Sequence, residues 1–226
     1  MLSMKNAIIA LTLSLSALVS AQSPIVKQIG EFKEVKVFDL INVTMIKSSE
    51  NKVVIEGANR RNVEVINKNG KLKIRMELEE SYDGNRTNVM LHYTSVDIID
   101  ANEGADINVE STIDQFEIKL RAQEGGKITA KVKASYTDIR SVTGGEITLT
   151  GESKNQDISI YTGGIFNGEN FKTENTEVSI NAAGEASVNA SEFVEVRVRA
   201  GGDVYIYGNP KEIDQKTVLG GRVKRM

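Results

Sequence analysis

The 226-residue chain has no cysteine, no tryptophan, one histidine and two prolines. Each scarcity excludes something. Without cysteine there is no disulfide staple and no thiolate nucleophile. A lipid anchor on a cysteine is excluded too. His92 alone, with no thiolate beside it, leaves a transition-metal site without its usual ligands. No G-x-S-x-G elbow accompanies His92, so a Ser-His-Asp triad is not indicated either. Aromatics make up 5% of the chain, so a core must come from Ile, Val, Leu and Ala. A net charge of -3 gives no electrostatic reason to expect a nucleic-acid partner. What remains, 40% hydrophobic and 26% charged, is an ordinary globular composition.

The first residues read as an export signal. Lys5 precedes an apolar run from Ala7 to Val19, and Val19-Ser20-Ala21 suits signal peptidase. Residues 1–21 are the expected signal peptide, with Gln22 starting the mature chain. The run is shorter than the roughly 20 residues that span a bilayer, so no integral span is expected in the mature protein. The expected destination is the periplasm, the outer-membrane surface or the medium.

Glycine is plentiful, and it is periodic. Gly-Gly stands at 125–126, 144–145, 163–164, 201–202 and 220–221, with Ala183-Gly184 filling the gap. The steps between the second residues are 19, 19, 20, 18 and 19. So steady a period marks stacked repeats. After each pair comes a strand-like piece such as "KITAKV", "EITLTG" or "DVYIYG". Before the next comes a second, such as "DIRSVT", "DISIYT" or "EVRVRA". Both alternate with period 2. Stacked in register, inward positions make ladders: Ile139, Ile158, Val178, Val196; then Ser141, Ile160, Ile180, Val198; then the small residues Thr143, Thr162, Ala182, Ala200. The expected architecture is all-β, a single-stranded parallel β-helix of about 19-residue coils. The linkers "KASYT" and "ESKNQ" leave room for a short third strand. The glycine pairs are expected to be corners, because glycine reaches positive φ without steric cost. A phosphate-cradling loop would need a following helix, and a strand follows every pair.

Residues 22–103 lack the 19-residue beat. They read as an N-terminal β-sheet region capping the coils of 104–226, the two expected to form one elongated domain. "NKNG", Asn67 to Gly70, is a hairpin signal there. At the other end, Arg222, Lys224 and Arg225 charge the last edge against further stacking.

The glycine-paired coils behind a signal peptide, the opening "IGEFKEVKVFDLINVTM" and the closing "GGDVYIYGNPKEIDQKTVLGGRVKR" resemble the head GIN family of auto-transporter adhesins. The resemblance covers about residues 29–225. It implies a right-handed parallel β-helix with flanking strands in an exported adhesin of Bacteroidetes-type bacteria. It brings no set of functional residues.

Candidate chemistry is sparse. Glu77, Glu79, Glu80 and Asp83 crowd one acidic loop, a candidate for calcium or a solvated connection. Lys127, Glu146, Ile165, Glu185 and Asp203 share an outward column. Glu146 and Glu185 would lie ~10 Å apart, beyond the roughly 6.5–9.5 Å of an inverting glycosidase. No cofactor is indicated. The remaining lead is a binding face of Tyr161, Arg197, Arg199, Tyr205 and Tyr207, since Tyr and Arg are the types most enriched where interfaces carry energy. The sequence therefore points to an exported, non-enzymatic, adhesin-like protein that binds an envelope or extracellular protein or glycan. A polysaccharide-active enzyme on the same scaffold and a self-assembling envelope subunit are the alternatives. An oligomer is compatible with either.

Overall fold

A computed structural model describes residues 23–226; the expected signal peptide and its cleavage site at Gln22 lie outside the described residues. Eight short strands come first: β1 (Ile25–Gln28), β2 (Glu34–Val37), β3 (Asn42–Lys47), β4 (Lys52–Gly57), β5 (Val63–Lys68), β6 (Lys71–Met76), β7 (Thr87–Tyr93) and β8 (Ile98–Ala101). Five long strands follow: β9 (Asp106–Gln123), β10 (Lys127–Val142), β11 (Glu146–Tyr161), β12 (Ile165–Asn181) and β13 (Glu185–Val198). The chain closes with β14 (Asp203–Tyr207), β15 (Glu212–Thr217) and β16 (Arg222–Arg225).

Strands β9 to β13 pair in parallel, each with the next. The architecture is a parallel β-solenoid. Each long strand is one coil and carries two ladders. The first ladder follows the glycine corner, as in Lys127↔Glu146 and Ile128↔Ile147. The second precedes the next corner, as in Ile139↔Ile158↔Val178↔Val196. No separate third strand fills the linker. Lys133↔Glu152 and Ala134↔Ser153 stay paired, and pairing skips only Ser135 and Lys154 at the bend. The linker backbone finds its hydrogen-bond partners on the neighbouring coils, with shifts of register between Thr148 and Gly151 and between Asn167 and Lys172.

The inward columns fall where period 2 puts them. Ile139, Ile158, Val178 and Val196 are buried, and so are Ser141, Ile160, Ile180 and Val198. The inward side chains of both ladders form one core. A bulky side chain is fitted by a missing one nearby. Gly151 sits in register between Val132 and the buried Phe171, and the Phe166 ring occupies the space a Cβ on Gly168 would need.

The third small column is not inward. Thr143, Thr162, Ala182 and Ala200 are exposed. Thr143 and Thr162 have φ 49°, and Ala182 has φ 65°, so they have left the strand and entered the turn. Val142-Thr143-Gly144-Gly145 is a turn closed by the Gly145 N–H donating to the Val142 carbonyl at 3.0 Å. With Gly144 at φ 71°, both central residues are left-handed, the pattern of a type I′ turn. Tyr161 to Gly164 repeats it.

The two glycines of a pair do different jobs. A Cβ on Gly144 or Gly163 would meet nothing within 4 Å, so these positions need glycine only for conformation. A Cβ on Gly145 would lie 2.2 Å from the Ala122 carbonyl oxygen of the preceding coil, and one on Gly164 2.5 Å from that of Ser141. There glycine lets one coil sit down on another. The corners also bond to each other: the Thr143 N–H donates to the Tyr161 carbonyl, and the Gly144 N–H to that of Thr162.

Parallel stacking does not stop where the 19-residue beat stops. β8 pairs with the second ladder of β9, and β2 pairs with β8 and then β6. On the other side β3 pairs with the first ladder of β9, and β7 with β3. The β2–β3 connection is thus another corner, Phe38 to Ile41, with Asp39 at φ 58° and Leu40 at φ 61°. Its Leu40 N–H donates to the Glu103 carbonyl of the next corner at 3.0 Å. Beyond it the stack ends in antiparallel strands: β4 on β7, β1 on β4, and β5 on β6 through the Asn69-Gly70 hairpin. At the far end the inward columns turn polar, ending in Gln215, Thr217 and Arg225 beside Val196, Val198 and Ile206.

Candidate binding face

The outward residues of the second ladder form three columns. The middle one runs Lys73, Lys36, Asp100, Arg121, Arg140, Ser159, Ser179, Arg197, Lys216. Beside it stand Lys119, Asp138, Asp157, Glu177, Glu195 and Asp214. On its other flank are Gln123, Val142, Tyr161 and Asn181. The face is basic toward β6 and acidic toward β15.

Counter-charges are unevenly shared along it. Arg197 pairs with Asp214 at 2.6 Å and Glu195 at 3.1 Å. The hydrogen bond with Arg197 holds the Asp214 carboxyl below its ordinary range. Lys36 donates to Asp100 at 2.7 Å and lies 3.4 Å from Glu34, which also meets Lys71 at 2.9 Å. Burial works to raise the Glu34 pKa, but the two lysines outweigh it and the carboxyl ends below its usual range. Asp100 is 1% exposed, and its second oxygen accepts from Asn102. Arg140 lies over the Tyr161 ring, 5.0 Å from its centroid. In the acidic column Asp157 is raised, first by burial and then by Asp138 on the adjacent coil.

The five expected binding residues fall in two places. Tyr161 and Arg197 are on the second ladder, both half-buried. Arg199 is exposed one residue past the end of β13, at the corner. Tyr205 and Tyr207 are on the first ladder, in register with Ser187 and Asn189. The fold does not bring all five to one surface: the glycine corner separates the two groups. Near the tyrosines, Arg222 makes a two-pronged contact with Asp203, at 2.8 and 2.6 Å.

Glu146, Glu185 and Asp203 do share the first outward column. Glu146 lies 3.5 Å from Lys127 and accepts from Asn167. The acidic loop is the corner between β6 and β7. There Asp39, 5% exposed, accepts from the backbone N–H groups of Met76 and Tyr82, and Asn59 holds Asp83. Among the described residues no three His, Cys, Asp or Glu side chains gather to hold a metal ion. His92 is half-buried on β7, in register with Ile46 and Lys52.

Two features escaped the sequence reading. One is the Arg121–Arg140 step, which a 19-residue step back from Arg140 would have found. The other is the groove at the linker bend, about 570 Å³, lined by Lys133, Ser135, Lys154, Lys172 and Glu174 with Phe116 at one end. Phe116 is 75% exposed. The groove's floor alternates in sign, Asp114, Lys133, Glu152, Lys172.

Residues 31–210 match the family described as "putative auto-transporter adhesin, head GIN domain". No curated protein matches the sequence significantly. Among solved structures, a "putative adhesin" from Bacteroides fragilis superposes with a TM-score of 0.77 at 15% identity, covering 91% of this chain and 98% of its own. A "putative adhesin" from Parabacteroides merdae gives 0.67 at 14% identity, with 90% and 95% covered. A "putative lipid binding protein" from Parabacteroides distasonis gives 0.66 at 16%, with 91% and 97% covered. At such identities these likenesses speak to the fold. The family match spans most of the chain, and the chain belongs to the head GIN-domain family.

Proposed function

We propose that the protein is an exported, non-enzymatic binding protein of the cell envelope. In this reading its ligand, a glycan or another protein, lies on the outward face of the second ladder. The observation that carries the reading is that face. Charged, amide and tyrosine side chains are held there in register over successive coils, with Tyr161, Asn181 and Arg140 adjacent. A rigid parallel ladder fixes the spacing of such groups before any ligand arrives, which lowers the ordering cost of binding. Family membership fits a surface-binding role. Arg197 and Arg199 extend the face toward β15, and Tyr205 and Tyr207 offer a second aromatic patch across the corner. Sheet-packed tyrosines present large area at low entropy cost.

The test is an array of glycans and envelope proteins probed with the chain from Gln22. For a ligand found there, Tyr161→Ala or Arg199→Ala should weaken binding by more than about 1 kcal/mol while the fold is kept. Loss only in Tyr205→Ala would move the site to the first ladder. Undiminished binding by all three would place it at the Glu77–Asp83 corner or the linker groove.

A further inference from the structure

One part of the second-ladder face is built against its own stability. Arg121 and Arg140 stand directly opposite one another on adjacent parallel strands. Like charges placed this way repel. An acidic neighbour in the column would normally relieve them, and the one present, Asp100, is committed elsewhere. Asp100, next in the column, is nearly fully buried and takes Lys36 and Asn102 as its partners. Among the described residues neither arginine has a carboxylate within ion-pairing distance. Arg140 is instead held over the Tyr161 ring, which fixes a guanidinium without neutralising it. Gln123, beside Arg121, is tied to Asn102. These groups enclose a cavity of about 340 Å³ lined by Lys36, Asp100, Arg121, Gln123, Arg140 and Val142.

The cationic column continues past the cavity. Lys73 and Lys36 lie in register below Asp100, so four cations follow the stack axis over about 19 Å at the spacing of paired strands. A linear track suits a linear ligand. Its borders are mostly polar, with half-buried Val142 and Ile98 among them. Among the described residues, Ile66, opposite Lys73, is the one exposed large apolar residue paired with it. That is a poor fit to a lipid surface. Glu34, Asp100 and Asp138 interrupt it, which disfavours the dense phosphates of a nucleic acid. Lys36 is already paired with Asp100 and Glu34, so the charge left for a ligand sits on Lys73 and the arginine pair, which suits a polymer whose oxyanions are spaced apart.

We propose that Lys73, Lys36, Arg121 and Arg140 form a track for a linear acidic polysaccharide, with the Arg121–Arg140 pair gripping a carboxylate or sulfate. Guanidinium forks match such oxyanions with two parallel hydrogen bonds. Tyr161 is a positioning residue that holds Arg140 in place. The inference rests on the reading of this face as a binding surface and names its ligand class.

The experiment titrates the chain from Gln22 with a polyuronate, a sulfated polysaccharide, neutral dextran and vesicles containing anionic lipid. It repeats each titration with Arg121→Gln/Arg140→Gln. Both arginines reach solvent, so the double variant should keep its circular dichroism and melt no earlier than wild type. The expected result is binding to one or both acidic polymers, not to dextran, that weakens as salt is raised. The double variant should lose at least about tenfold in affinity. Tyr161→Phe should bind like wild type, because the ring and not the hydroxyl holds Arg140, whereas Tyr161→Ala should lose part of the affinity. The proposal is overturned by no binding to either acidic polymer, by binding to anionic vesicles alone, or by equal binding in the double variant. A neutral glycan or a protein bound equally well by both forms would also overturn it, and would leave the surface-binding reading in place.

Discussion

The corner at Asp39-Leu40 and the corner at Thr143-Gly144 are the same turn made from different residues. Both have two successive left-handed residues, and both bond through backbone N–H groups to the corner stacked on them. In the repeat region glycine makes that conformation easy. In the N-terminal region it is imposed. Asp39 pays for its φ with a buried carboxylate that accepts from Met76 and Tyr82, and Leu40 packs its side chain toward Gly104. Left-handed backbone costs a non-glycine residue roughly 1–2 kcal/mol, so it persists only where surrounding contacts over-determine it. The stack of corners, rather than the glycine, is the invariant feature of this molecule.

That comparison can be broken most severely at the second glycine of a pair. Gly145→Val puts a side chain into the Ala122 carbonyl. It should destabilise by more than about 3 kcal/mol or prevent folding, read by urea denaturation. Gly144→Val has open space and only the wrong φ, so it should cost about 1–3 kcal/mol. Equal effects at the two positions would erase the distinction drawn between conformation and close approach. In the N-terminal region, Asp39→Ala removes the acceptor for two backbone N–H groups and should cost about 1–3 kcal/mol.

Smaller changes sharpen the same contrast. Glu103, at the next corner, has its pKa raised above 4.5, first by burial and then by Asp39. The folded state therefore holds this proton more tightly than the unfolded chain. Stability is lost as pH rises from 4.5 through the raised value. Glu103→Gln should stabilise the protein at pH 7, by no more than about 1 kcal/mol given the solvent access, and do little at pH 4. A benefit that is the same at both pH values would contradict the assignment. Ala183, exposed at φ 62°, occupies the place of Gly144 in its own corner. Ala183→Gly should be neutral to stabilising by up to about 1 kcal/mol. Smallest of all, Ser159→Ala on the outward ladder should change stability by less than about 0.5 kcal/mol.

Much of this architecture was legible in the sequence because two signals agreed. The glycine period fixed the coil length, and period-2 alternation fixed which residues turn inward; Ile139, Ile158, Val178 and Val196 follow from the two together. The signal failed where the chain departs from either rule. Thr143 continues the alternation into the corner, but the turn has already taken it out of the strand. Asp39-Leu40 carries no glycine, so the coil it ends was read as part of a separate sheet pattern. The face was less legible than the fold. The repeat places Tyr205 and Tyr207 on the first strand of their coil and Arg197 on the second, as observed, but it carries no sign that the corner keeps the two outward surfaces apart. Arg121 precedes the first Gly-Gly pair and fell outside the counted repeats. The acidic column Asp138, Asp157, Glu177, Glu195, Asp214 has steps of 19, 20, 18 and 19, close to those of the glycines, and applying the period to outward positions would have exposed it. Which charges lack partners could not be read this way, because partnership depends on Asp100 being buried and on Arg140 finding a ring.

The central claim is that one stack of left-handed corners runs through both regions, without a break where the glycine rhythm begins. Hydrogen exchange of the folded chain in rising urea tests it directly, by following peptides from residues 34–47 and from residues 106–161 together. The account predicts that the amides of Leu40 and Gly144, each bonded to the next corner, lose protection in the same cooperative transition. Complete exchange of 34–47 at urea concentrations where 106–161 remains fully protected would contradict it.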